Sequence, residues 1–234
     1  MNGPAGPSHV GITRDRVDLP IHLLVLSLYQ KDDAVDIFLS TLREQLLWTR
    51  NLASVCEMRY GSYVDILDYI KRARRLPWFN ALVVVAHGDA VGEPLFQDTR
   101  RAHARSEDSS KTGSSAAGEE SWAGLRMLLA INGYSSEYVL FLATCKAGRI
   151  SVVRGFQIGS ARPIAVITPE KATDLEAIEG AAAISSFINE MCEEGRTELT
   201  WASIEAIGGQ NRKKYPGILH LWTYEEAQTE GIFG

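Results

Sequence analysis

Two side chains in this sequence stand where covalent chemistry can begin. His87 is followed at once by Gly88, and Cys145 by Lys146-Ala147-Gly148. An imidazole can take the proton of a thiol. The thiolate attacks a carbonyl carbon, and the imidazole later returns the proton to the leaving group. A free thiol has a pKa of about 8.5, so a nucleophilic role calls for a nearby imidazole or a helix N-terminus to hold the thiolate. Cys145 is placed to have both, with His87 across a crevice and a short turn leading into a helix expected over 148–156. Gly88 carries no side chain, so a backbone N–H there can face a substrate oxygen. The N–H groups of Gly88 and Cys145 are therefore candidate oxyanion-hole donors, each worth ~3 kcal/mol of barrier.

Each reactive residue closes an apolar run. Leu82-Val83-Val84-Val85-Ala86 precedes His87, and Tyr138-Val139-Leu140-Phe141-Leu142-Ala143 precedes Thr144-Cys145. Short runs rich in branched and aromatic residues read as fully buried strands of a parallel sheet. In open α/β sheets the ligand crevice lies outside the carboxyl ends of the strands, so both groups are expected at one sheet edge. The remaining chain supplies elements of the same kind. Strands are expected over 21–28, 52–59, 163–167 and 218–222. One helix opens at Asp32-Asp33, whose charges suit the helix dipole, with Val35, Ile37, Phe38, Leu42, Leu46 and Leu47 on one side. A second carries Tyr63, Ile66, Leu67 and Ile70, ends on the basic run 71–75 and closes at Pro77. Further helices are expected over 122–131, from a Thr173/Glu176 capping box to Met191, and over 199–207 with Gly208-Gly209 as its stop. Alternating strands and helices predict right-handed crossovers and an α/β fold with a mostly parallel six-stranded sheet flanked by helices.

The bulk numbers exclude several classes. The chain has 234 residues, 45% hydrophobic and 23% charged, enough for a core that needs neither disulfides nor metal. A net charge of −5 gives no basic field for nucleic acid. Cys56, Cys145 and Cys192 are odd in number and widely spaced, which supports no disulfide framework and no zinc site and suits a reducing cytosol. Cys56 mid-strand and Cys192 at a helix end read as packing residues. His22 and His220 read as strand residues, and His9 and His103 as solvated. No basic leader with an apolar core opens the sequence, and no apolar run approaches the ~18 residues of a membrane span. No phosphate-loop or dinucleotide fingerprint follows the first strand, so no cofactor is expected. Residues 1–18 read as a flexible tail, 19–234 as one domain, and the Ser/Gly/Glu-rich stretch 97–121 as a flexible insertion near the crevice. The expectation is a cytoplasmic protein with no membrane partner.

A strand ending in His-Gly, then a second ending in Cys-x-(small)-Gly 58 residues from the first, resembles the caspase-like cysteine peptidases; about 50 residues separate the pair in caspases. This group includes caspases, metacaspases, separases and bacterial CHAT proteases. The likeness extends in strand order over about 20–224. The downstream part, with an Ala-rich helix over 178–191 and a second helix carrying Trp201-Ala202, looks most like CHAT proteins. The caspase Gln-Ala-Cys-x-Gly stands here as Ala143-Thr144-Cys145-Lys146-Ala147-Gly148, and the acidic residue of metacaspases two places before the nucleophile is Ala143.

The resemblance implies a three-layer caspase-like fold and a His87–Cys145 dyad that cleaves a protein or peptide through a thioacyl-enzyme. It requires no third catalytic residue. Separase-like relatives receive a basic P1 side chain on an acidic residue just after the fifth strand. Asp174, then Glu170, are the matching candidates here, and they imply cleavage after Arg or Lys; both also suit a plain helix start. CHAT-like relatives imply a dedicated or activating protein partner, in bacterial defence or cell death. Two other readings fit the same residues: an inactive binding or scaffold module, and a thiol amidase acting on a small molecule.

Overall fold

The structure is a computed structural model that describes residues 16–28, 32–59, 68, 72, 76–88, 94–95, 115–134, 137–157, 161–170 and 175–223. The expected strands 21–28, 82–86 and 138–143 form its centre. Parallel strands β2 (Ile21–Ser27), β4 (Ala81–Gly88), β6 (Val139–Thr144) and β7 (Ala165–Pro169) lie side by side, with β3 (Leu52–Arg59) outside β2. β9 (Leu219–Trp222) closes the other edge antiparallel to β7. The order is β3-β2-β4-β6-β7-β9, and the short β5 (Pro94–Leu95) pairs antiparallel with the end of β4. The sheet is mixed and mostly parallel, as its runs of branched residues imply.

Helices cover both faces. α1 (Asp33–Leu46) and α4 (Ala177–Met191) pack on the face made by Leu23, Val25, Val83, Val85, Phe141 and Ile167. α2 (Ser115–Ile131) and α3 (Ile150–Gln157) cover the other, where Trp122, Leu128, Val153 and Phe156 meet Leu82, Val84, Leu140 and Leu142. Every side chain of β6 is buried, since a central strand in a three-layer sandwich has no solvent side. Burying such a side chain contributes about 1.5–3 kcal/mol, so β4 and β6 are the most firmly held frame on which a site can be built.

Local signals explain most element ends and fail at a few. Asp32 caps α1, its Oδ1 accepting from Ala34 N at 3.1 Å and Val35 N at 3.3 Å. Of the expected stripe, Val35, Phe38, Leu42 and Leu46 are buried, whereas Ile37 and Leu47 face outward. α4 starts at Ala177 with Glu176 as its cap residue and no side-chain cap bond, so the Thr173/Glu176 box does not open it; Thr173 lies outside the described residues. A capping box forms instead at Thr200 and Ser203, which opens α5 (Trp201–Lys214). That helix runs through Gly208-Gly209 rather than stopping there. Gly208 is accommodated because Leu221 fills the space beside it: an added Cβ would lie 2.9 Å from Leu221 Cδ2.

Two segments read as loose contain regular structure. Arg16–Asp18 form β1, which pairs antiparallel with β8 (Glu198–Thr200) and buries Val17 against Leu199. α2 begins at Ser115, inside the expected insertion; 97–114 lie outside the described residues, as does most of the expected helix over 63–75. Among the described residues no helix is long and apolar enough to cross a membrane.

Candidate active site

The register of the two central strands brings the reactive residues together. Ala86 of β4 stands opposite Thr144 of β6, and the next residues are His87 and Cys145. β4 runs on through His87 and Gly88, where β5 pairs with it, so His87 is held within a strand. Residues 81, 83 and 85 pack on the α1/α4 face, and alternation carries His87 to that same face. Residues 139, 141 and 143 do the same in β6, and Cys145 follows the end of that strand at the start of a turn. Both groups thus reach one rim of the sheet, at the carboxyl ends of adjacent strands.

The backbones approach closely at this rim. A Cβ added at Gly88 would lie 1.9 Å from the Cys145 carbonyl oxygen and 3.2 Å from Thr144 Cγ2. Glycine is required there because another backbone occupies the side-chain space. Cys145 itself is a half-buried free cysteine. After it the chain turns sharply: Lys146 adopts φ +60°, left-handed space that costs an ordinary residue about 1–2 kcal/mol, and Ala147 N–H donates to Thr144 O at 3.1 Å. α3 follows at Ile150, so the expected short helix stands behind the turn.

A third residue completes the cluster. Asp32 Oδ1 lies 2.8 Å from His87 Nε2, with both side chains mostly buried. The pair carries opposite charges whenever the imidazole is protonated. Asp32 is visible in the sequence only as a helix-opening acid. Its second role depends on strand order: β2 lies beside β4, so the loop leaving β2 delivers the start of α1 to the rim that carries His87.

Asp174 lies outside the described residues. Glu170 follows β7 at the same rim, but its carboxylate is directed to His220 Nδ1, 3.9 Å away. His220 also receives Arg212 Nη2 at 3.3 Å and meets the Trp222 ring edge-on, on the sheet face opposite α1 and α4. The other cysteines behave as packing residues. Cys56 is half-buried in β3, and burial pushes the Cys192 thiol up to about 11, which keeps it protonated at neutral pH. His22 sits in β2, with Nδ1 2.9 Å from Ser54 Oγ, far along the strand from the rim. Among the described residues no group of three or more His, Cys, Asp or Glu is arranged to hold a metal ion.

No family model and no curated protein matches the sequence. The fold does have solved counterparts. One is the X-ray structure of an inactive zymogen C11 protease from Parabacteroides distasonis, to which this chain is similar with a TM-score of 0.50 and 12% identity. The match covers 91% of this chain and 64% of the other, so this chain spans under two thirds of its neighbour's length. The mostly parallel six-stranded sheet between helices is thus the caspase-like fold that the sequence led us to expect.

Proposed function

We propose that this chain is a cysteine endopeptidase of the caspase-like group, with Cys145 as nucleophile and His87 as base and then acid. The observation that supports the reading is the in-register ending of β4 and β6, after which His87 and Cys145 come next in sequence, beside a backbone contact at Gly88 that only glycine permits. The protease neighbour on the same fold supports the reaction class. In the first half-reaction His87 accepts the thiol proton and Cys145 Sγ bonds to the scissile carbonyl carbon. Collapse breaks the C–N bond, and the imidazolium gives its proton to the leaving amine. Water, deprotonated by the same imidazole, then hydrolyses the thioester. The N–H groups of Gly88 and Cys145 receive the oxyanion in both steps.

Substrates are cut after Arg or Lys, with Asp174 as the first carboxylate for that side chain and Glu170 as the second. The natural substrate is a specific protein, and the likeness to CHAT proteases points to defence or cell death. Hydrolysis of fluorogenic peptides bearing Arg, Lys, Asp or Asn at P1 tests this. The basic peptides are turned over best, and Cys145→Ala or His87→Ala lowers turnover by about 10³-fold or more. Preference for Asp at P1 would overturn the specificity assignment. Turnover unchanged in both variants would overturn the dyad.

A further inference from the structure

We infer that Asp32 is a positioning residue for His87, and that it directs proton exchange with Cys145 to the Nδ1 side of the ring. The inference rests on the dyad proposed above and extends it to a group that the resemblance does not supply. Its basis is the sharing of one carboxylate oxygen. Asp32 Oδ1 accepts from the Ala34 and Val35 amides at the start of α1 and lies 2.8 Å from His87 Nε2. The two amides fix that oxygen on a helix whose inner face, Val35, Phe38, Leu39 and Leu42, is buried in the core. The N-terminal end of the helix dipole favours the ionised carboxylate. A fixed anion beside Nε2 favours the tautomer with its proton on Nε2 and stabilises the imidazolium formed when Nδ1 takes the thiol proton. Nε2 therefore faces the carboxylate, the reverse of the assignment in Ser-His-Asp triads, where the Asp holds Nδ1–H.

The cap and the catalytic role separate by substitution. Asn caps a helix about as well as Asp but carries no charge, Ser caps but is too short to reach the ring, and Glu restores a charge at a longer reach. The readout is alkylation of Cys145 by iodoacetamide, followed by mass spectrometry across pH in the full chain, which needs no substrate. Asp32→Asn and Asp32→Ser are expected to keep the thermal midpoint near that of the parent. They are also expected to lower the alkylation rate at pH 7 about tenfold while leaving the rate at pH 9.5 unchanged. Asp32→Glu recovers part of the pH 7 rate. Nitrogen-15 shifts of His87 in the parent report the proton on Nε2.

A pH 7 rate unchanged in Asp32→Asn, while His87→Ala lowers it, would overturn the positioning role and leave the dyad standing. A rate unchanged in His87→Ala as well would sink the dyad itself. Equal losses at pH 7 and 9.5 in Asp32→Asn would overturn the inference in favour of a purely structural cap, as would a resting proton on Nδ1.

Discussion

At the scale of single residues, the neighbours of Cys145 are unusually constrained. Thr144 is fully buried, and among the described residues its Oγ1 has no hydrogen-bond partner, a condition that costs about 1–3 kcal/mol. Val has nearly the same shape without the hydroxyl. Thr144→Val is therefore expected to raise stability by about 1 kcal/mol, read as a higher urea midpoint at constant slope. A lower midpoint would mean that the hydroxyl is satisfied in solution. His87 and Cys145 were legible in the sequence because an apolar run ends one residue before His87 and two residues before Cys145. Asp32 was legible only as a cap, because its contact with His87 joins residues far apart in sequence that only the strand order brings together. Glu170 was legible as a residue following a strand, but its neighbour His220 comes from the antiparallel edge strand, whose pairing no local pattern encodes.

At the scale of elements, two glycines separate local propensity from packing. Gly88 gives its side-chain space to the Cys145 carbonyl, and no rotamer can relieve a clash between two backbones. Gly88→Ala is expected to cost about 1–3 kcal/mol and to remove Cys145 labelling by active-site probes while leaving the far-ultraviolet spectrum native-like. Gly209 is an exposed position within α5 with nothing among the described residues within 4 Å of an added Cβ. Gly209→Ala is therefore expected to stabilise by about 0.5–1 kcal/mol. If Gly88→Ala proved neutral in both stability and labelling, the close approach of the strand ends would be wrong. The pair also explains a misreading. Gly208-Gly209 looks like a helix stop, yet the Thr200/Ser203 box starts α5, Leu221 packs against Gly208, and the basic run Arg212-Lys213-Lys214 ends the helix favourably. Tertiary contact outweighed a local signal worth about 1 kcal/mol per glycine.

At the scale of the whole molecule, the sheet could be read because each parallel strand is a continuous apolar run bounded by polar residues. The layered α/β class followed from strands alternating with helices. Less legible were the pieces whose stability comes from distant partners. β1 exists because Val17 and Leu199 bury one another across most of the sequence, and nothing in residues 16–18 alone calls for a strand. The rim that collects Asp32, His87 and Cys145 is likewise a property of the strand order β2-β4-β6, which gathers three separated segments at one end of the sheet. A binding scaffold would share this fold, so reactivity at the rim separates an enzyme from a scaffold. The most direct measurement is treatment of the full chain with a peptide acyloxymethyl ketone bearing Arg at P1, followed by mapping of the modified residue by mass spectrometry. The account predicts a single adduct on Cys145 that His87→Ala abolishes, and none on Cys56 or Cys192. Adducts on either of those cysteines, or labelling of Cys145 that persists undiminished without His87, would contradict it.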